Sequence, residues 1–210
     1  MRDRNTSWSF GALLLAAGSI PAATVSSAAS ISVDFYIFRS RPISFRGEIV
    51  REDEQRFRVI ANRVSDGDVV AVAPVSPGGD VEPAVAIGRM VRERGFLTMV
   101  WSSAGCASAC MLIWLAGQPA VIEWGSSLGF HAPAYADSQY APDGAAFVAR
   151  YLHQIGLTRE HIEFALATPQ PAIHRATVGD ALWLGVIPMP MPSLFGVWRA
   201  CPARIFLAVP

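Results

Sequence analysis

The sequence predicts one α/β domain whose strands pair mainly in parallel. Its 210 residues are enough for one sizeable hydrophobic core. Hydrophobic residues make up 52% of the chain and charged residues 16%, which is typical of a globular protein. Short apolar runs alternate along the chain with segments in which the apolar residues recur at the spacing of an α-helix. This alternation favours parallel pairing with right-handed crossovers, and no internal repeat is visible.

The first part of the pattern predicts a strand followed by a helix. Residues 43–60 alternate loosely between apolar and polar, which predicts a hairpin, although their charged middle equally suits a helix start. Residues 68–80 form a valine-rich run stopped by Pro-Gly-Gly, which predicts a buried strand ending in a glycine turn. Residues 81–95 carry apolar side chains near helical spacing and end on glycine. We therefore expect a helix there.

The second part repeats the alternation. Residues 96–103 predict a second buried strand, and residues 107–117 a second helix whose start carries Ser108. Residues 119–133 predict a third extended segment that leads to His131. Further helical regions are expected at residues 143–168, as one or two helices, and at residues 177–187.

Three regions are expected along the chain: a signal peptide over 1–29, the domain over 30–192, and a C-terminal tail over 193–210 whose structure the letters leave open. Two arginines among the first four residues precede an apolar run and then small polar residues, which is the order of a secretory signal. The apolar run is short for a membrane span. The alternative to a cleaved signal peptide is an N-terminal anchor that stays uncleaved. Such an anchor is the one membrane contact that the sequence predicts. Export predicts a periplasmic or similar location.

The charges of the chain exclude several classes of function. Seventeen basic and 17 acidic residues cancel, so nothing indicates nucleic-acid binding. Every basic residue apart from histidine is arginine, which excludes a phosphate-binding P-loop lysine, a Schiff base and a Ser-Lys dyad. No cofactor and no metal ion are expected, because Cys106 and Cys110 lack a nearby second pair of zinc ligands.

The cysteines Cys106 and Cys110 flank Ser108 symmetrically. Export favours oxidised cysteines, so a disulfide across this turn is one interpretation. A separation of four residues within a regular helix would strain such a bond, and two small buried thiols are the alternative. Because the chain has three cysteines, at least one of them lacks a partner within the chain.

Four residues suit a site built around a serine nucleophile. Ser108 lies where a strand gives way to a helix, so unpaired amides and the helix dipole there favour developing negative charge. Gly78 and Gly79 end the preceding strand, where the absence of side chains lets a substrate backbone lie close. His131 follows the next extended segment and is a candidate base. Since strand ends of a parallel sheet share one rim, we expect these groups to converge.

The motifs SPGG, AVAIGRMVRERG, CASACMLIWLAG and GFHAP occur in this order within residues 66–188. Together they resemble the proteolytic-subunit family of Clp proteases, within the crotonase-like superfamily, and more closely its exported periplasmic relatives. The resemblance implies stacked ββα units with a parallel sheet, a peptide or protein substrate, and homo-oligomers. It implies Ser108 as nucleophile, His131 as general base, and the amides of Gly79 and Ala109 as the oxyanion hole. Signal peptide peptidases share the superfamily fold but use a lysine base, which this chain lacks.

One part of the Clp pattern is missing. In that family an aspartate orients the histidine from a segment ahead of a helix with a YGLV-like end, which corresponds here to WLGVI around Gly185. The matching residues 169–175 contain no carboxylate, and Asp180 is expected on the surface of the next helix. His174, within that region, has no catalytic role that follows from the sequence. Loss of the orienting acid lowers the turnover of a well-studied triad about 10⁴-fold.

Two hypotheses follow for the function. The first is an exported serine hydrolase that cleaves peptide bonds through an acyl-enzyme on Ser108, without ATP because an exported compartment supplies none. The second is a catalytically weak or silent protein of the same fold that binds peptides along a strand edge or acts in assembly. Acyl-CoA chemistry of the crotonase type ranks below both, since the sequence shows neither two positioned carboxylates nor an adenine pocket.

Overall fold

The structure is a computed structural model that describes residues 28–33, 43–65, 69–72, 75–135 and 139–189. The described residues form ten strands and six helices. Almost all of the expected signal peptide and the whole expected C-terminal tail lie outside these ranges. No helix within the described residues combines the length and the apolar character needed to cross a bilayer.

The strands form two sheets. The larger sheet contains, in spatial order, β1 (Ser30–Val33), β2 (Ile43–Arg46), β3 (Val69–Val72), β5 (Leu97–Val100), β7 (Ala120–Glu123) and β10 (Ile187–Met189). The smaller sheet contains β4 (Val75–Ser76), β6 (Gly105–Ala107), β8 (Ser127–Phe130) and β9 (His174–Ala176). All neighbouring pairs are parallel except β1 with β2 and β8 with β9. The predicted α/β class with mainly parallel strands is confirmed.

The six helices are α1 (Asp53–Ala61), α2 (Val81–Glu93), α3 (Ala109–Trp114), α4 (Pro142–Gln154), α5 (Arg159–Leu166) and α6 (Val178–Trp183). Three successive ββα units, β3-β4-α2, β5-β6-α3 and β7-β8-α4, each place their first strand in the larger sheet and their second in the smaller one. The extended segments predicted at residues 68–80 and 119–133 are therefore each two strands. In the segment 119–133, residues 124–126 form the break at which the chain passes from the larger to the smaller sheet.

Residues 43–60 are not a hairpin. The strand β2 is followed by α1, so the alternative of a helix start in the charged middle is what the structure shows. The buried Asp53 carboxylate accepts the Val50 N–H (2.9 Å) and lies 3.2 Å from the Arg56 guanidinium. Acidic residues in the first turn complement the helix dipole, and Phe57 and Ala61 bury the apolar face of the helix.

Helix α3, which begins after Ser108, is tied to its surroundings by buried polar contacts. The indole N–H of Trp114 donates to the Val121 carbonyl of the larger sheet (2.8 Å). The hydroxyl of Tyr151 on α4 donates to the Leu112 carbonyl (2.8 Å). Burial raises the pKa of this hydroxyl, so that it remains a proton donor. These bonds fix the helix whose first turn forms part of the site described below.

Helix α6 begins with a capping box that gives a stability prediction. The Thr177 hydroxyl accepts the Asp180 N–H (3.2 Å), and the Asp180 carboxylate accepts the Thr177 N–H (2.7 Å). The second of these bonds holds the pKa of Asp180 below its ordinary value. We expect Thr177→Ala to lower the free energy of unfolding by about 1 kcal/mol in urea titrations at neutral pH. Thr158→Ala is the control, because its single capping bond to the α5 backbone is 3.4 Å long, and it should cost less.

The pH dependence of this cap has a defined sign. Because the pKa of Asp180 is lower in the folded than in the unfolded protein, its contribution is present above the unfolded pKa and is lost as pH falls through the folded pKa. The stability difference between the native protein and Asp180→Asn should therefore shrink in acid. A difference that is unchanged from neutral pH to below about pH 3 contradicts this explanation.

Candidate active site

Ser108 occupies the turn between β6 and α3. Its backbone has φ of 56° and ψ of −130°, in a region that costs a non-glycine residue about 1–3 kcal/mol. The Ser108 N–H donates to the Gly129 carbonyl of β8 (2.9 Å), and its own carbonyl accepts the Met111 N–H (2.9 Å). Strain that neighbouring elements maintain in this way occurs preferentially at functional sites.

The predicted glycine turn packs directly against Ser108. Gly78 has φ of 106°, and a Cβ placed on it would lie 2.6 Å from the Ser108 Cβ and 2.9 Å from the Ala109 nitrogen. A side chain at position 78 would therefore displace the serine turn. The SPGG motif and the serine turn, which are thirty residues apart in the chain, form one contact.

Gly79 is held from the opposite side by the segment that follows β2. The Ile49 N–H donates to the Gly78 carbonyl (2.7 Å), and the Asp80 N–H donates to the Ile49 carbonyl (2.8 Å). In this parallel bridge the two bonds of Ile49 go to Gly78 and Asp80, so the N–H of Gly79 itself takes no part in them. Among the described residues, neither this N–H nor that of Ala109 has a hydrogen-bond partner. Two free amides thus flank the serine turn, as an oxyanion hole requires.

His131 follows β8 and is partly buried. Its Nδ1 lies 2.8 Å from the Ala132 carbonyl oxygen. Because a carbonyl only accepts, this contact assigns the proton to Nδ1, which donates it, and leaves Nε2 as the acceptor. The Ala132 N–H in turn donates to the Thr168 carbonyl (2.7 Å), which anchors the segment that carries the histidine.

Ser108, Ala109 and His131 line one small cavity of about 30 Å³ that is open to solvent. The rest of its wall is mainly apolar and includes Met111, Leu112, Leu115, Phe130, Val148, Leu152 and Leu166. Among the described residues, the Ser108 hydroxyl and the His131 imidazole are not hydrogen-bonded to each other. Catalytic hydrogen bonds often tighten only when substrate is bound, so the shared cavity is the relevant observation.

No carboxylate contacts His131 among the described residues. The antiparallel register of β8 and β9 ends with the pair Phe130 and His174, and the next residues along the two segments are His131 and Ile173. Ile173 is 39% exposed, and its side chain lies over Gly129, on the face of the smaller sheet that also carries His131. The residue that precedes β9 at this end of the sheet is therefore aliphatic and supplies no carboxylate.

His174 and Asp180 form a separate pair that sequence reasoning missed. The His174 Nε2 lies 3.7 Å from the Asp180 carboxylate, and the rings of Phe164 and His174 form a T-shaped contact with 4.9 Å between their centroids. Asp180 is partly buried rather than simply on the surface, because it caps α6. Since neighbouring residues of a strand face opposite sides, His174 points away from the face that carries His131. The Thr-x-x-Asp spacing, which is typical of a helix N-terminal cap, could have predicted the capping role of Asp180.

The two cysteines that flank Ser108 are joined by a disulfide. Their Cα atoms are 5.4 Å apart, within the normal range for such a bond, and each residue is 1% exposed. Cys106 belongs to β6 and Cys110 to the first turn of α3, so the strain expected of two cysteines within one helix does not arise. The structure thus differs from the interpretation of two free buried thiols.

Comparison with known proteins identifies the fold. No family model and no curated protein matches the sequence. Among solved structures, ClpP1 from Listeria monocytogenes is 19% identical, with a TM-score of 0.53 over 70% of this chain and 91% of that chain. The 1510-N membrane-bound stomatin-specific protease, as a mutant, is 18% identical, with a TM-score of 0.53 over 73% of this chain and 80% of that chain.

An enoyl-CoA hydratase from Mycobacterium avium subsp. paratuberculosis K-10 is 14% identical, with a TM-score of 0.58 over 87% of this chain and 80% of that chain. Similarity at these identities shows the fold alone. The chain has the fold that these ClpP-like proteases and crotonase-family enzymes share. The choice among the chemistries that this fold supports therefore depends on the site.

Proposed function

We propose that this protein is an exported serine hydrolase, a peptidase of ClpP-like fold that works without ATP through an acyl-enzyme on Ser108. One observation carries the proposal: a strained serine, flanked by two unpartnered amides, lines the same cavity as a histidine whose Nε2 is an acceptor. Ser108, Ala109 and His131 share this cavity, and Gly79 adjoins it through Gly78, which packs against Ser108. Two of the similar structures are proteases, which supports the same conclusion.

The reaction follows from these groups. The Ser108 Oγ attacks the peptide carbonyl carbon while Nε2 of His131 takes the hydroxyl proton. The negative oxygen of the tetrahedral intermediate accepts hydrogen bonds from the N–H groups of Gly79 and Ala109. His131 then gives its proton to the departing amine. Water, deprotonated by the same nitrogen, then attacks the ester carbonyl carbon, the bond from this carbon to Ser108 Oγ breaks, and His131 returns the proton to Oγ as the carboxylic acid product leaves.

The Ala132 carbonyl takes part of the role of the missing carboxylate. It fixes the tautomer and the orientation of His131 through the Nδ1 contact. As a neutral acceptor, it stabilises the imidazolium that forms during the reaction less than a carboxylate would. We therefore propose slow turnover. The aliphatic cavity wall favours substrates with an apolar side chain next to the scissile bond.

Export and assembly complete the proposal. The order of charged, apolar and small residues at the N-terminus supports a periplasmic or other exported location, with membrane contact only if the signal segment is retained. A homo-oligomer is part of the same proposal. Light scattering during size-exclusion chromatography of the purified protein tests it, and a monomer at all concentrations would contradict it.

A fluorophosphonate probe tests the catalytic proposal. It reacts only with an activated serine, and mass spectrometry of the labelled protein should identify Ser108 as the modified residue. Ser103 is the matched control, because it also has a positive φ of 63° but lies outside the cavity lining. Ser103→Ala should label like the native protein. Labelling at any other residue, or no labelling at all, contradicts the proposal.

The second candidate function is a catalytically silent protein that binds extended peptides at the same site. The absence of a carboxylate beside His131 favours it. Peptide binding that survives Ser108→Ala, with no product after long incubation of the native protein, would support this candidate. The cavity lining described here contains no aspartate or glutamate, so no observation favours crotonase-type chemistry, for which two carboxylates were expected.

A further inference from the structure

The disulfide that brackets Ser108 has no role in the reaction described above. We propose that the Cys106–Cys110 disulfide is a positioning element, which holds Ser108 and the Ala109 amide in their reactive geometry. The inference rests on the proposed function, because it assigns the cysteines a role relative to the serine nucleophile.

The position of the bond carries the first step of the argument. Cys106 lies in β6, where it pairs with Leu128 of β8 and with Ser76 of β4 on the other side. Cys110 lies in the first turn of α3. The disulfide therefore joins a central strand of the smaller sheet directly to the helix, and closes a ring of five residues with Ser108 at its centre.

The conformation inside this ring carries the second step. Ser108 has a positive φ that side chains with a Cβ rarely adopt, so the turn favours relaxation toward negative φ. Such a relaxation would rotate the serine hydroxyl and the Ala109 N–H relative to each other and to Gly79. The backbone hydrogen bonds of Ser108 to Gly129 and Met111 oppose it at the turn itself. The disulfide opposes it by fixing the distance between the two ends of the turn.

A general stabilising role predicts a different result. A ring of five residues restricts the unfolded chain less than a long loop does, so its effect on folding is limited. Misplacement of reacting groups by about 1 Å costs up to about 10²-fold in rate. A positioning role therefore predicts a larger change in the reactivity of Ser108 than in the unfolding transition.

The test compares the native full chain with the double variant Cys106→Ala/Cys110→Ala. We expect the second-order rate constant for fluorophosphonate labelling of Ser108 to fall about tenfold, as for a displacement of a fraction of an ångström. In peptide hydrolysis kcat should fall while KM changes little, because the apolar cavity remains. Circular dichroism and a cooperative thermal transition should show that the variant is folded. Cys201→Ala removes the third cysteine instead and should label at the native rate.

The outcomes separate this inference from the proposed function. If Ser108 of the native protein is labelled and the folded double variant is labelled equally fast, the positioning role is wrong and the serine chemistry stands. If Ser108 of the native protein is not labelled, the proposed function fails and the inference fails with it. Should the alanine pair not fold, Cys106→Val/Cys110→Ala preserves more of the buried volume and is judged by the same rate.

Discussion

Replacing Ser108 by alanine is expected to abolish fluorophosphonate labelling and to lower peptide hydrolysis by about 10⁴-fold or more. The substitution removes one oxygen atom from the cavity. It leaves the Gly79 and Ala109 amides, the apolar wall and His131 in place. The remaining activity would come from binding and from the oxyanion hole alone, which in other serine enzymes still exceed the uncatalysed rate.

A fluorogenic peptide with an apolar residue before the scissile bond measures this effect, and binding of the same peptide shows that the cavity is intact. Ser103→Ala is again the matched control, since it removes a serine of similar backbone geometry from the turn before β6. Retention of more than a few per cent of turnover by Ser108→Ala would mean that this hydroxyl is not the nucleophile. Equal loss in both variants would indicate a general structural effect.

The order of the ββα units followed from local signals in the sequence. Apolar runs, Pro-Gly-Gly and the spacing of α2 report on the elements that contain them, and the structure confirms the class and most element positions. The division of each extended segment between two sheets was missed, because both strands are apolar and the break between them is only a few residues long. Periodicity alone does not show to which sheet a strand belongs.

The interpretation of residues 43–60 was open for a related reason. An alternating pattern in a short charged segment suits both an exposed strand and a helix start, and only tertiary contacts distinguish them. Here the buried carboxylate of Asp53 accepts the Val50 N–H, and Phe57 enters the core. The sequence predicts neither contact; it shows only that the first turn of the helix is acidic.

The convergence of the site residues was predictable because parallel strands end at a common edge. The orientation of His131 was not, because its partner is the carbonyl of the next residue, which every residue type carries. The pair of His174 and Asp180 was also missed, since an antiparallel return by β9 places them on the side of the sheet away from the site. The residue types in the sequence therefore predicted the candidate catalytic groups, whereas the pairing of the strands determined which of these side chains lie close together.

Introducing a carboxylate at position 173, just ahead of β9, is expected to raise turnover. Ile173 directly precedes β9, as His131 directly follows β8, and the Ile173 side chain lies over Gly129 of β8. If the spacing of directly opposed residues, with Cβ atoms about 4.5–5.5 Å apart, continues one step beyond the pair Phe130 and His174, an aspartate at this position reaches the imidazole Nδ1. Its charge would stabilise the imidazolium more than the neutral Ala132 carbonyl does.

We expect Ile173→Asp to increase kcat about 10²-fold, since the carboxylate of a complete triad contributes about 10⁴ and the carbonyl already supplies the orientation. The change should cost little stability, because Ile173 is 39% exposed. Steady-state hydrolysis of the same fluorogenic peptide measures the gain. Combination with Ser108→Ala should remove it, which shows that the new carboxylate acts through the serine.

Ile173→Asn separates charge from shape in this experiment. The amide has nearly the same volume and also accepts a hydrogen bond, but it lacks the negative charge. A gain for aspartate that asparagine does not reproduce identifies His131 as the proton carrier, because only a group that becomes cationic during the reaction benefits from the charge. Equal rates for the two variants and the native protein would show that proton transfer at His131 does not limit turnover. In that case the missing carboxylate does not explain slow hydrolysis, and the peptide-binding function gains the stronger support.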